Sequence, residues 1–195
     1  MSVTVIGPVP SRTFRVLWAL EELGLEYTHH PHMPQSDDVR THNPAGKVPV
    51  LIEDGVTLTD STAILTYLAD KHGRLTYPAG TIERAHQDGF TGFLLDEFDA
   101  CLWTAARHSF ILPEERRVPE VKDTLKWELA RSVDELMRRK RPGPFLMGEN
   151  MTIADIIAGH CGTWAENARF DVQNEEFRTY LKSLTTRDAY KRARQ

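Results

Sequence analysis

Residues 43–73 read NPAGKVPVLIEDGVTLTDSTAILTYLADKHG, and their reading decides the fold. The run Val48–Ile52 is apolar enough for a buried strand, yet Pro49 lies inside it. Proline has no backbone N–H to give to a ladder and is normally kept out of sheet interiors. Either Pro49 belongs to an edge strand or the chain bends there to serve a ligand. Beyond it, VPVLI and VTLT flank Glu53-Asp54-Gly55, and the Asp-Gly pair predicts a hairpin. The stretch from Asp60 to His72 predicts a helix, with Asp60 or Ser61 as N-cap and Gly73 just past its end.

Upstream, Ser2–Ile6 alternate like a short strand until Gly7, Pro8 and Pro10 break the pattern. SRTFRVLWALEELG predicts a helix, with Val16, Leu20 and Leu23 on one face and Gly24 as its stop. LEYTHH reads as a second strand, and MPQSDDVRTHNPAG as a polar loop or short helix. The order β-α-β-(loop)-β-β-α thus fills residues 1–75, and the Pro- and Gly-bearing residues 76–81 form a linker.

Residues 82–195 read as all-helical. One helix is expected from Ile82 to Leu112, with Phe90, Phe93, Leu94 and Leu102 inward, and another from Val121 to Lys140. In a third, Ile153, Ile156, Ile157, His160 and Trp164 make one stripe. Its start, MTIAD, is a capping-box pattern of Thr152 and Asp155. EEFRTYLKSL and RDAYKRAR finish the chain as shorter helices. Fold class is α+β: an α/β domain followed by an all-α domain.

Composition excludes several functions. With 41% hydrophobic and 27% charged residues the chain is neither disordered nor membrane-embedded. No apolar run reaches the roughly 18 residues that span a bilayer, and the N-terminal stretch lacks the pattern of a secretory signal. A net charge of −4, shared between the halves, gives no call for nucleic acid or an anionic membrane. Cys101 and Cys161 form no C-x-x-C, so a disulfide framework or zinc site is not expected, and a reducing cytoplasm is. In HHPH (His29, His30, His32) strand alternation sends His29 and His30 to opposite faces, and no carboxylate spacing completes a metal site, so polar surface residues are expected. The run Arg138–Arg141 complements the negative end of its helix.

SRTFRVLWALEELGLEY, NPAGKVPVL, LTDSTAI and GPFLMGENMTIADI, in this order, resemble the glutathione S-transferase family over nearly the whole chain. The resemblance implies a thioredoxin-like first domain with a cis bond before Pro49. It implies that the Val48 backbone meets the cysteinyl part of glutathione, and that Ser61 and Asp60 receive its γ-glutamyl carboxylate and ammonium. Lys47 corresponds to a residue near the glycyl carboxylate. Ser11 resembles the serine of theta-like and bacterial serine-type members, which donates its hydroxyl to the sulfur. Thr13 is the reserve candidate, the Arg12 N–H a helper, and a plain helix cap the alternative for Ser11.

The co-substrate implied is glutathione, with no metal. The second substrate is a small apolar electrophile, expected between the domains at Trp103, Arg107 and His108, although core packing and a salt bridge also explain the first two. Peroxidase or dehalogenase side activity is compatible with the resemblance. Family members pair as homodimers, and the short C-terminus suggests an open substrate site. A non-catalytic glutathione-binding stress or regulatory scaffold would use the same pocket. Thiol–disulfide exchange ranks below both, because no cysteine occupies the Ser11 region.

Overall fold

The computed structural model describes residues 2–195. The chain divides into two compact units, one running up to Pro78 and including Thr185–Gln195, the other Ala79–Leu184. The sequence had placed residues 185–195 with the helical domain; instead they return to the first unit.

In the first unit, β1 (Val3–Ile6), α1 (Thr13–Leu23), β2 (Thr28–His30), α2 (Asp37–His42), β3 (Val50–Glu53), β4 (Val56–Thr59) and α3 (Ser61–His72) precede the C-terminal α9 (Asp188–Arg192). The sheet has the order β2-β1-β3-β4, with β1 parallel to β2 and antiparallel to β3. Asp54 and Gly55 both take positive φ, as a tight hairpin turn of type I′ requires, and β4 pairs back onto β3. The central strands are buried and β4 is a largely exposed edge. One face packs on Val39 of α2 through Ile6 and Val50. Helices α1 and α3 lie against each other, and Gly24 ends α1 in a left-handed cap with Leu25 N–H returning to Leu20 O. The Arg74 guanidinium then caps the α1 carbonyls of Glu22 and Leu23.

Glu53 of β3 is buried, and α3 answers it twice. Lys71 Nζ lies 2.7 Å from Oε1 and Tyr67 O–H donates to Oε2 at 2.5 Å. Burial pushes the Glu53 carboxyl up, but the Lys71 and Tyr67 hydrogen bonds outweigh it and hold it below its ordinary value.

In the second unit one helical path runs from Ile82 to Ile111: α4 (Ile82–Phe93), a π-helical stretch Leu94–Asp99, α5 (Ala100–Ala106) and a second π stretch Arg107–Ile111. Then come α6 (Val121–Arg139), α7 (Ile153–Asn167) and α8 (Glu175–Thr185). The stripe on α7 is buried through Ile153, Ile156, Ile157 and His160, while Trp164 is half-buried. Asp155 does more than cap its helix. Its fully buried carboxylate accepts from Thr152 N–H and Leu146 N–H at 2.8 Å, from Tyr180 O–H at 2.7 Å and from the Thr152 hydroxyl at 3.2 Å.

Asp155→Ala orphans three further buried donors at about 1–3 kcal/mol each, so urea unfolding should report a loss of at least about 3 kcal/mol. Thr152→Ala should cost about 0.5–2 kcal/mol. The Glu53 carboxyl is depressed in the fold, so its contribution is present above the unfolded value near ~4.3 and is lost as pH falls below it. Glu53→Gln should flatten that acid limb of the urea midpoint, and an unchanged limb would show that other carboxylates carry it.

Candidate functional site

Strand register gathers the candidate residues of the first unit. Ile6 is opposite Val50, and Val50 is opposite Thr59. The segments that continue past these positions, Gly7–Arg12, Lys47–Pro49 and Asp60–Ser61, therefore share one end of the sheet. Both α1 and α3 begin there, presenting the positive ends of two helices.

The Val48–Pro49 peptide is cis. β3 starts only at Val50, and among the described residues the Val48 N–H and C=O have no hydrogen-bond partner. Gly7, at φ +136°, makes the close approach possible: a Cβ there would stand 2.1 Å from Thr13 Oγ1 and 2.8 Å from the Val48 Cβ. His29 Nε2–H donates to Gly7 O at 2.8 Å, which fixes the tautomer and braces the turn. Sequence reasoning had read this histidine only as part of an incomplete metal motif.

At α3 the N-cap is Asp60, whose Oδ1 accepts from Thr62 N–H and Ala63 N–H at 2.9 and 3.0 Å. Asp60 holds φ +70°, an uncommon conformation for a residue other than glycine. Its Oδ2 has no partner among the described residues, and neither has the N–H or hydroxyl of Ser61, which is 3% exposed. This corner thus offers one carboxylate oxygen beside an amide and a hydroxyl.

Ser11 is half-buried and already engaged. Its Oγ lies 2.7 Å from Pro8 O and 2.9 Å from Thr13 Oγ1, and it accepts from Thr13 N–H at 3.1 Å. A hydroxyl has one proton, so donation to a ligand requires Ser11 to release the carbonyl. Thr13 is fully buried, which leaves Ser11 the more accessible alcohol. Arg12, half-buried, is the residue preceding α1.

Lys47 is exposed, and its carbonyl accepts from Asn43 Nδ2 at 2.9 Å. The loop carrying it is braced by two residues that sequence reasoning missed. Asn43 Oδ1 accepts from Ala45 N–H, and the Gln35 amide donates to Ala45 O and Gly46 O. An Asn-Pro turn signal marks the first; nothing local marks the second.

In the helical unit, Trp103 is half-buried on α5. Arg107 Nη2 donates to Thr104 Oγ1 at 3.0 Å, and its Nε is buried without a partner. His108 Nδ1 accepts from Val118 N–H at 3.0 Å, so this ring anchors a turn. Cys101 donates to Leu125 O, and burial lifts its thiol to about 11. Among the described residues no three His, Cys, Asp or Glu side chains gather as metal ligands.

The profile of the glutathione S-transferase N-terminal domain matches residues 11–71. Glutathione transferase GST 23 of Zea mays is 30% identical over 171 residues, covering 83% of this chain and 72% of that protein. The chain belongs to the glutathione S-transferase family. Glutathione S-transferase theta-2 of Rattus norvegicus is 33% identical over 121 residues, 57% of this chain and 48% of its own length. The chain thus matches about half of that relative. Among solved structures, the glutathione transferase of Methylococcus capsulatus str. Bath superposes with a TM-score of 0.84 at 25% identity, covering 98% and 97% of the two chains. At the level of this family, glutathione binding and transfer are the shared property.

Gly7→Ala should be among the most damaging single-methyl changes in the chain. It adds a Cβ where none fits and at a φ unfavourable to alanine. A thermal melt close to that of the unsubstituted protein, with unchanged glutathione binding, would contradict the close approach.

Proposed function

We propose that this chain is a glutathione transferase that binds glutathione as its thiolate and conjugates it to small hydrophobic electrophiles. The observation that carries the reading is the unpartnered polar edge at one sheet end: the Val48 backbone groups with the Ser61 amide and hydroxyl. Buried or half-buried polar groups are normally paired, and an extended peptide supplies what this edge lacks.

In this reading the Val48 N–H and C=O pair strand-fashion with the cysteinyl residue beside Pro49. Ser61 and the start of α3 take the γ-glutamyl carboxylate, the free oxygen of Asp60 faces the ammonium, and Lys47 serves the glycyl carboxylate. The sulfur then lies over the Ser11–Thr13 turn, with the Arg12 N–H nearby. Bringing a thiol pKa from about 8.5 to about 6.5 needs about 2.7 kcal/mol of preferential thiolate stabilisation. A hydroxyl hydrogen bond to an anion supplies about 1.5–3 kcal/mol and a helix N-terminus about 0.3–1 kcal/mol. The thiolate attacks the electrophilic carbon, a C–S bond forms, and the leaving group departs with its electron pair. Trp103 and Arg107 are the side chains proposed to receive the electrophile, Arg107 through an anionic substituent. Function as a homodimer in the cytoplasm completes the proposal.

One observation favours a second reading. The Ser11 hydroxyl already lies within hydrogen-bond distance of Pro8 O and Thr13 Oγ1, so a glutathione-binding scaffold without thiolate activation would keep the turn as it stands.

Absorbance of bound thiolate against pH separates the two. For the transferase, Ser11→Ala should raise the bound thiol pKa and lower kcat about 10- to 100-fold, the equivalent of a charged hydrogen bond. Ser61→Ala should mainly raise the KM for glutathione. Bound glutathione with the titration of the free thiol in the unsubstituted protein would favour the scaffold.

A further inference from the structure

Helix α1 is held from behind by a part of the chain that the transfer chemistry does not use. The T-shaped rings of Phe14 and Tyr190 lie 5.0 Å apart, and those of Trp18 and Tyr190 4.9 Å apart. At the other end of α1, the Glu22 carboxylate accepts both Arg187 Nε–H and Nη2–H, at 2.6 and 2.7 Å. The same carboxylate takes the Trp18 indole N–H at 3.0 Å, so the aromatic and ionic contacts join in one residue. Arg192 reaches Glu21 at 2.6 Å, and Tyr27 O–H holds the other oxygen of that carboxylate at 3.0 Å.

The geometry points to residues 185–195 as a positioning device for the sulfur site, with Tyr190 the central positioning residue and Arg187 and Arg192 its anchors. This rests on the reading above, in which the Ser11–Thr13 turn stabilises the thiolate. Tyr190 reaches that turn through one side chain and one hydrogen bond: Phe14 follows Thr13, and its N–H donates to Ser11 O at 3.1 Å. A helix the length of α9, five residues, has no stability of its own. Its order comes from α1, and α1 in turn is clamped near both ends. The Glu22 side chain is 8% exposed, so losing the arginines would leave a poorly hydrated charge and force α1 to shift. The sulfur site is sensitive to such shifts, because a misplacement of about 1 Å can cost about a hundredfold in rate. The proposed glutathione backbone and γ-glutamyl contacts lie just ahead of β3 and at the start of α3, outside the clamp.

The test uses the full chain with Tyr190→Ala, Tyr190→Phe and the double variant Arg187→Gln/Arg192→Gln. Readouts are thiolate absorbance with glutathione, kinetics with an aryl halide, and amide hydrogen exchange. Tyr190→Ala should cut the bound thiolate fraction near pH ~6.5, and with it kcat, about tenfold. The glutathione KM should move by no more than about threefold, and amides 14–18 should exchange faster while those of α3 do not. Tyr190→Phe keeps the ring edge and should restore all three. A folded Tyr190→Ala protein with the original thiol titration and original α1 exchange would overturn the proposal. If Tyr190→Ala does not fold, the arginine pair decides by the same readouts. If the unsubstituted protein shows no bound thiolate, the transferase reading fails. Exchange then decides the clamp: faster exchange confined to α1 sustains it, and unchanged exchange ends it.

Discussion

Between Gly7 and Thr13 there is no room for a methyl group, and the same missing side chain lets Val48 approach the start of α1. Three chain segments that are far apart in sequence meet at one sheet end because this contact is backbone against side chain. The cis Val48–Pro49 peptide immediately precedes β3, which begins at Val50. Among the described residues, the Val48 N–H and C=O stand unpaired at that end of the sheet. What the site offers is mostly main chain, and main chain is placed by the fold rather than by rotamers.

Around that point the unit is tied by contacts long in sequence. Arg74 closes the C-terminal end of α1, Lys71 and Tyr67 fasten α3 to Glu53, and α9 covers the face of α1 that carries Phe14 and Trp18. The carboxylates among them, Glu53 and Glu22, are little exposed, where desolvation makes a lost partner costly. The helical unit repeats the device at Asp155, one carboxylate joining the start of α7, the preceding loop and Tyr180 of α8.

Much of this was legible in the sequence. The hairpin followed from Asp54-Gly55, the ends of α1 and α3 from Gly24 and Gly73, and the buried stripe of α7 from its spacing. Pro49 within an apolar run flagged the bend. Other features depend on pairings that local pattern does not encode. Glu21, Glu22, Arg187 and Arg192 look like solvated helix faces until α9 returns to α1. The two π stretches leave the apolar spacing of the 82–111 path nearly unchanged, so periodicity reads one uninterrupted helix. Asp60 and Ser61 were equal candidates for the α3 cap, and only the geometry selects Asp60. The Ser11 hydroxyl could be read as donor to sulfur or as helix cap; in the structure it contacts Pro8 O and Thr13, with its one proton already shared.

In the proposed complex an extended thiol peptide completes the hydrogen bonding that Val48 and Ser61 leave open. Following backbone amide resonances while glutathione is titrated in tests it most directly. Saturable shifts centred on the amides of Val48, Ser61 and Thr62 are the result this account predicts. Saturable binding that leaves those three resonances in place would contradict it.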